Sequence, residues 1–386
     1  MKMSRLAACA APLSLLLCSA PAMAGDAVEF DVTYIADLMS VSGNGDGARL
    51  SYLDNLDLTA TADLDALLDW NGGTAHVHVL NNLGGTPNDR AATLQGVDNI
   101  EVGHQRLRVL EAWIEHALGS RTTVRTGLYD LNSEFYANDA AGLLIAPAFG
   151  VGSEIAATGP NGPSIFPSTA LALRVDQRLG EQGFVRAAVL NASARTLGDP
   201  DGVDLSFDNG VLLIGETGIS ARGKIAAGAW TYSRRYDDIR AINAAGDPVR
   251  RRAHGAYIVA EYPLDNPDDV FAMSAFVRAG VSDGRTTPFR GGWQAGLLVA
   301  HLFANRPDSA FSIGANQAYL SHGFRRNLRD EGIDAADAET AFEVTYSDRI
   351  ANFLTLQPDL QLILDPGGDR GRQAAIVSAL RMIVAF

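Results

Sequence analysis

The feature that most restricts this chain is how its apolar residues are distributed. Beyond residue 24 no apolar run reaches the roughly 20 residues that a membrane-crossing helix needs. Short segment after short segment instead alternates apolar with polar, the period of a strand that keeps one face in an apolar medium. From Ala375 to Phe386, Ile376, Leu380, Met382, Val384 and Phe386 share a face, and Arg381 falls on the other. From Phe353 to Leu364, Leu354, Leu356, Leu360, Leu362 and Leu364 face one way while Gln357, Asp359 and Gln361 face the opposite way. A slip of one residue would turn Arg381 onto the apolar face, so register is strongly specified. Such strands build either a soluble sandwich with apolar faces inward or a transmembrane barrel with apolar faces outward and a polar lumen.

The links between segments separate these folds. Sixteen alternating segments are expected, at 28–41, 49–62, 74–82, 107–118, 121–129, 169–178, 183–192, 211–220, 223–232, 254–262, 270–281, 291–302, 310–320, 338–347, 353–364 and 375–386. Their connections alternate in length. Gly119–Ser120 is followed by 130–168, then 179–182, 193–210, 221–222 and 233–253. Long extracellular loops opposed to short periplasmic turns mark an outer-membrane barrel, and a soluble sandwich has no reason to sort its loops this way. We therefore expect an all-β, antiparallel up-and-down transmembrane barrel of sixteen strands. The turn at 63–73 is longer than the others and has room for a helical turn.

The N-terminus fits export. Lys2 and Arg5 precede an apolar run from Leu6 to Leu17, and Ala22-Met23-Ala24 offers a small-x-small cleavage site. Residues 1–24 read as a signal peptide and 25–386 as the barrel. Both cysteines, Cys9 and Cys18, fall in the segment removed, so no disulfide or thiolate metal site is expected in the mature protein. Loss of Lys2 and Arg5 takes the net charge from −14 to −16. That acidity argues against nucleic-acid binding, which needs a basic footprint.

The longest link, 130–168, is the third on the extracellular side. Structureless loops of this length are usually functional, and its last third is too rich in glycine and proline to be helical. Its first part carries Asp130, Asn132, Glu134, Tyr136, Asn138 and Asp139. The expectation is that it folds into the barrel and narrows the pore; the alternative is a loop that only covers the mouth. This loop, together with the C-terminal LQPDLQLILDPGGDRGRQAAIVSALRMIVAF and the stretch LLDWNGGTAHVHVLNNLGG, resembles the carbohydrate-selective porin (OprB) family across roughly the whole mature chain. The resemblance implies a sixteen-stranded outer-membrane barrel that admits sugars and similar small solutes. It also implies recognition of the C-terminal aromatic by the outer-membrane assembly machinery.

If apolar alternation marks lipid, parity assigns the lumen. It places Glu111, Trp113 and Glu115 inside, with Ala112 and Ile114 outside. Arg125, Arg174, Arg186, Arg278, Glu343, Asp359, Gln361 and Arg381 follow by the same rule. Opposed acids and arginines across a narrow lumen would set selectivity, and for a neutral sugar they supply donors and acceptors without favouring one sign of ion. Trp113 offers a flat face to a pyranose. Equally, the pairs can be salt bridges that stiffen the wall. Trp293, Phe342, Tyr346 and Phe386 lie where interfacial aromatic girdles would be.

The remaining chemistry is thin. His76 and His78 share a strand face but have no evident third ligand for zinc. No Ser-His-Asp set sits in a nucleophile elbow, and the glycine pairs lie in loops rather than at strand-to-helix turns. No cofactor or metal is expected. The function read from the sequence is passive diffusion of small polar solutes, carbohydrates foremost, across the outer membrane. A general or anion-preferring porin, a barrel enzyme such as a lipid hydrolase and a soluble periplasmic binding protein are the rivals. Expected partners are outer-membrane lipids, small sugars and the assembly machinery, with a homo-oligomer left open.

Overall fold

The computed structural model describes residues 27–43, 46–265 and 271–385. The expected signal peptide and Phe386 lie outside the described residues. Sixteen antiparallel strands close into one barrel: β1 (Val28–Gly43), β2 (Asp46–Asp63), β3 (Gly73–Gly84), β4 (Arg106–Leu118), β5 (Thr122–Tyr129), β6 (Ala170–Leu179), β7 (Gly183–Asn191), β8 (Val211–Ser220), β9 (Lys224–Tyr232), β12 (His254–Pro263), β13 (Ala272–Ser282), β14 (Phe289–Ala300), β15 (Ala310–Leu320), β16 (Ala338–Ala351), β17 (Leu354–Leu364) and β18 (Ala375–Ala385). Two more strands, β10 (Tyr236–Ile242) and β11 (Pro248–Arg251), form a separate hairpin in the loop after β9. This hairpin falls within the expected loop 233–253, where a seven-residue strand with three charged residues shows no clear apolar face. The long turn after β2 does hold a helix, α1 (Leu64–Leu68), capped by the Asp63 carboxylate.

Each strand pairs with its sequence neighbour, and β1 pairs with β18 to complete the ring. At that seam Asp37 stands directly opposite Arg381. Their side chains meet inside the barrel at 2.7 Å, both buried, so the closing register is tied to an ion pair. The opposite face meets lipid. Leu360, Leu362, Leu364, Ile376, Leu380 and Met382 point outward and are exposed, while Asp359, Gln361, Val377, Ala379 and Arg381 between them are buried. Asp54 departs from this rule. It lies on the outward face of β2, where the hydroxyls of Tyr34 and Tyr52 donate to its carboxylate at 2.9 and 2.8 Å. Those bonds satisfy a charge that hydrocarbon cannot.

The lumen is not lined by polar groups all round. From β5 to β12 the inner wall carries Leu190, Leu212, Trp230, Tyr232, Tyr257 and Val259, which pack against Tyr129, Leu131, Phe135, Tyr136, Val151 and Ile155. The last five of these belong to the link between β5 and β6, so that loop lies inside the barrel and makes a hydrophobic core with the wall. A second inward segment, 85–105, contains the short helix α2 (Asn88–Ala91). It buries Val97 and Ile100 against Ile35, Met39, Leu53 and Val377.

Candidate functional site: the constriction loop and its wall

Residues 130–169 leave β5 at Tyr129 and return to β6 at Ala170. Local chemistry shapes the loop. The Asp130 carboxylate accepts from the Asn132 N–H at 2.8 Å and starts a tight turn, Pro147 opens another, and α3 (Ser153–Ala156) adds a single helical turn. Short turns within the loop pair part of its backbone, such as Phe135 N–H with Leu131 O and Gly150 N–H with Pro147 O, and the wall takes up other groups. Carboxylates take its N–H groups: Glu111 from Asp130 at 3.1 Å, Glu216 from Tyr136 at 3.0 Å, Glu261 from Asp139 and Ala140 at 2.6 and 2.8 Å, and Glu343 from Ile145 and from Ala146, the latter at 2.9 Å. Donors take its carbonyls. Arg186 reaches Glu134 O at 2.6 Å, Lys224 reaches Ala137 O at 2.6 Å and Gln357 reaches Leu143 O at 2.7 Å. Arg278 reaches Tyr136 O at 2.9 Å, Gly150 O at 2.6 Å and Phe149 O. Buried backbone groups need such partners, and charged partners make the stronger bonds.

Two wall glycines make room. A Cβ on Gly280 would come within 1.9 Å of the Glu154 carboxylate, and one on Gly314 within 2.7 Å of the Phe149 ring. Glu154 is buried there, takes the Tyr136 hydroxyl at 2.9 Å, and burial raises its pKa above the usual carboxylate range.

The eleven residues assigned to the lumen by parity all project inside, but they divide into two groups. Arg278, Glu343 and Arg381 are almost wholly enclosed; the first two bond loop backbone and the third pairs with acids of β1 and the second inward segment. Arg381 holds Asp37, Asp98 at 3.3 Å and Asn99 at 2.7 Å. Gln361 donates to Val97 O at 2.9 Å and to Asp359 at 3.0 Å. These residues tie down the two inward loops rather than line open water.

The second group forms a charged strip across β4 to β7. Arg174, itself almost wholly enclosed, bonds Glu115 at 2.6 Å and Glu134 through two nitrogens at 2.8 Å. Arg125 bonds Glu115 at 3.0 Å, and Arg186 bonds Asp176 at 3.0 Å. The side chains of Glu115, Arg125, Glu134, Asp176 and Arg186 keep 14–21% exposure. Burial pushes Glu134 up, but Arg125 and Arg174 outweigh it and hold its carboxyl below the ordinary value. Three guanidinium groups and three carboxylates thus cancel in charge. Trp113 has no free face. His76 of β3 stacks on its ring at 4.9 Å and Arg125 of β5 sits over it at 3.8 Å, while its N–H lacks a partner. His78 pairs with Asp57 at 2.7 Å.

Among the named loop residues, Asp130, Asn132 and Tyr136 are buried, Glu134 and Asn138 are half-buried and Asp139 is exposed. The sequence reading missed Asp37, Glu216, Lys224 and Glu261, which parity on β1, β8, β9 and β12 already allowed. It also missed the 85–105 segment, where Val97 and Ile100 stand out as apolar residues in a polar stretch. Glu339 fixes that segment by accepting from the Leu94, Gln95 and Gly367 N–H groups at 2.8–3.1 Å.

A closed sixteen-stranded barrel with a lipid-facing apolar surface and a loop folded into its lumen defines an outer-membrane channel of the porin class. The comparisons narrow the class: residues 48–386 match the model of the carbohydrate-selective porin, OprB family, and the chain belongs to that family. Porin B of Pseudomonas aeruginosa is 21% identical over 401 residues, covering 93% of this chain and 87% of that protein. A high-pH structure of Pseudomonas putida OprB superposes with a TM-score of 0.83 at 21% identity, covering 93% of this chain and 94% of that one. A low-pH structure of the same protein gives 0.59 at 18% identity, covering 96% and 100%. The protein is an outer-membrane porin.

Proposed function

We propose that the pore passes small neutral sugars by passive diffusion, without chemistry on the solute, and that the strip Glu115–Arg125–Glu134–Arg174–Asp176–Arg186 is where it discriminates. The observation that carries this is the pairing of three arginines with three carboxylates beside the inward loop, where every member but the enclosed Arg174 keeps some exposure. A balanced set offers directional donors and acceptors to hydroxyl groups without attracting ions of one sign. An anion-preferring pore would leave the arginines uncompensated. Trp113 acts by packing Arg125 in place rather than by stacking on a sugar. Glu111, Arg278, Glu343, Asp359, Gln361 and Arg381 set the pore's width by fixing the loops. Export through a signal peptide at 1–24 belongs to the same reading.

Liposome swelling with sugars of increasing size tests it. Arg125→Ala together with Arg186→Ala leaves Asp176 without its arginine and Glu115 with Arg174 alone, so the strip carries two uncompensated negative charges. It should slow hexoses relative to glycerol and shift reversal potentials towards cation preference. Unchanged relative rates and unchanged reversal potentials would remove the strip from the solute path.

A further inference from the structure

One register row on the lipid-facing wall is built of small residues. Ala187, Gly215, Ala229 and Ala256 stand opposite one another across β7, β8, β9 and β12. The adjacent rows carry larger exposed side chains, Val189 and Leu213 on one side and Val185 and Ile258 on the other, with Thr217 and Ala227 between the last two. Over Ala187, Gly215 and Ala229 lies an apolar trough of about 540 Å³, bounded by Val189 and Leu213 and by Leu173 and Val175 of β6. It is open at its floor, since a Cβ on Gly215 would meet only Arg186 O, at 3.8 Å.

The long-loop end of the same wall is basic. β9 ends at Tyr232 and continues as Ser233-Arg234-Arg235, while β12 starts at His254, which stands opposite Thr231 and follows Arg252. Arg234, Arg235, Arg252 and His254 are exposed. The acids nearest in the chain are engaged: Asp237 with Arg250 at 3.3 Å and Asp238 with Arg251 at 3.5 Å. Arg234, Arg235 and Arg252 have no carboxylate partner among the described residues, in a chain whose net charge is −14. Thr231 lines the trough, so the two features adjoin.

We propose that this surface docks a phosphorylated glycolipid of the outer leaflet, of the lipid A class, with acyl chain in the trough and phosphate on Arg234, Arg235 and Arg252. Charge complementarity selects the occupant. Three unpaired guanidinium groups at the headgroup level fit phosphate, which they contact in bidentate fashion. A single row of small residues fits an acyl chain, whereas a packed helix needs a groove about 10 Å across.

Native mass spectrometry of the full-length porin in neutral detergent tests this, with lipid A, dephosphorylated lipid A and phosphatidylethanolamine as probes. Wild type should hold lipid A at least about tenfold more tightly than the dephosphorylated form. The triple variant Arg234→Gln, Arg235→Gln, Arg252→Gln should lose that preference, and Gly215→Leu should weaken both forms of lipid A. Heat-modifiable migration reports that the variants are folded, and the wild-type comparison needs no variant. Equal binding of both forms by wild type, full lipid A affinity in the triple variant, or a dimer mass in place of lipid adducts would each overturn the proposal.

Discussion

Arg278 offers the sharpest perturbation of the constriction. Its guanidinium is enclosed by the third loop and donates to three loop carbonyls, those of Tyr136, Phe149 and Gly150. Methionine keeps most of the volume and removes every donor. A hydrogen bond from a charged donor contributes about 1.5–3 kcal/mol net. Three bonds that share one donor group are not additive, so the inward loop loses about 4–6 kcal/mol. Each 1.4 kcal/mol is about a factor of ten in population. A loop held inward at roughly ten thousand to one would therefore approach comparable inward and displaced populations. The barrel itself should survive, because the main chain at position 278 stays paired with Val259 and Gln294. Planar-bilayer recordings of Arg278→Met should show flicker between the wild-type level and a larger conductance, and liposomes should admit larger oligosaccharides. Heat-modifiable migration provides the folding control. A single wild-type conductance level with an unchanged size limit, in a folded variant, would refute the view that wall side chains hold this loop.

Other outcomes follow from the same geometry. Gly280→Val should displace the Glu154 turn and raise conductance, since even one added carbon meets that carboxylate; an unchanged single-channel level would count against the fit. Arg381→Met leaves Asp37 and Asp98 buried without their cation, a loss of about 3–5 kcal/mol. It should lower the temperature at which the barrel shifts to its unfolded mobility on a gel. Glu101, in the second inward loop, is pushed up to about 7 by burial, with the Asn88 N–H bond opposing. An acid whose folded pKa is raised binds more protons folded than unfolded. Its contribution is therefore complete below about 4.5 and is lost as pH rises through about 7, by up to roughly 3 kcal/mol. Protection of the 88–101 amides from hydrogen exchange, corrected for intrinsic rate, should fall between pH 5 and 8, and Glu101→Gln should flatten that trend.

The barrel was legible in the sequence because lipid imposes one rule on every strand. Leu360, Leu362, Ile376 and Leu380 read as a face without any knowledge of their neighbours, and the alternation of long and short links gave the topology. The lumen was legible only as orientation. Parity turns Arg278 and Arg125 the same way, but it cannot say that Arg278 will be enclosed by backbone carbonyls while Arg125 stays at the water's edge. That difference depends on where the third loop lies, and the loop's path is set by contacts more than a hundred residues apart, such as Glu343 with Ile145 and Ala146. The inner apolar wall was hidden for the same reason. Trp230, Tyr232 and Tyr257 break the expected polar face because Phe135, Tyr136 and Ile155 cover them. Trp113 shows the limit of reading one residue alone, since its ring is claimed by neighbours on both adjacent strands.

The central claim is that solute passes between the third loop and the charged wall, beside Glu134. The chain's only cysteines are Cys9 and Cys18, both before residue 25, so Glu134→Cys places one thiol in residues 25–386. Reaction with a bulky thiol reagent, followed to completion by mass, should abolish most hexose flux and step down the single-channel current relative to the unreacted variant, and a high sugar concentration should slow the reaction. Complete modification with flux and current unchanged would contradict the account.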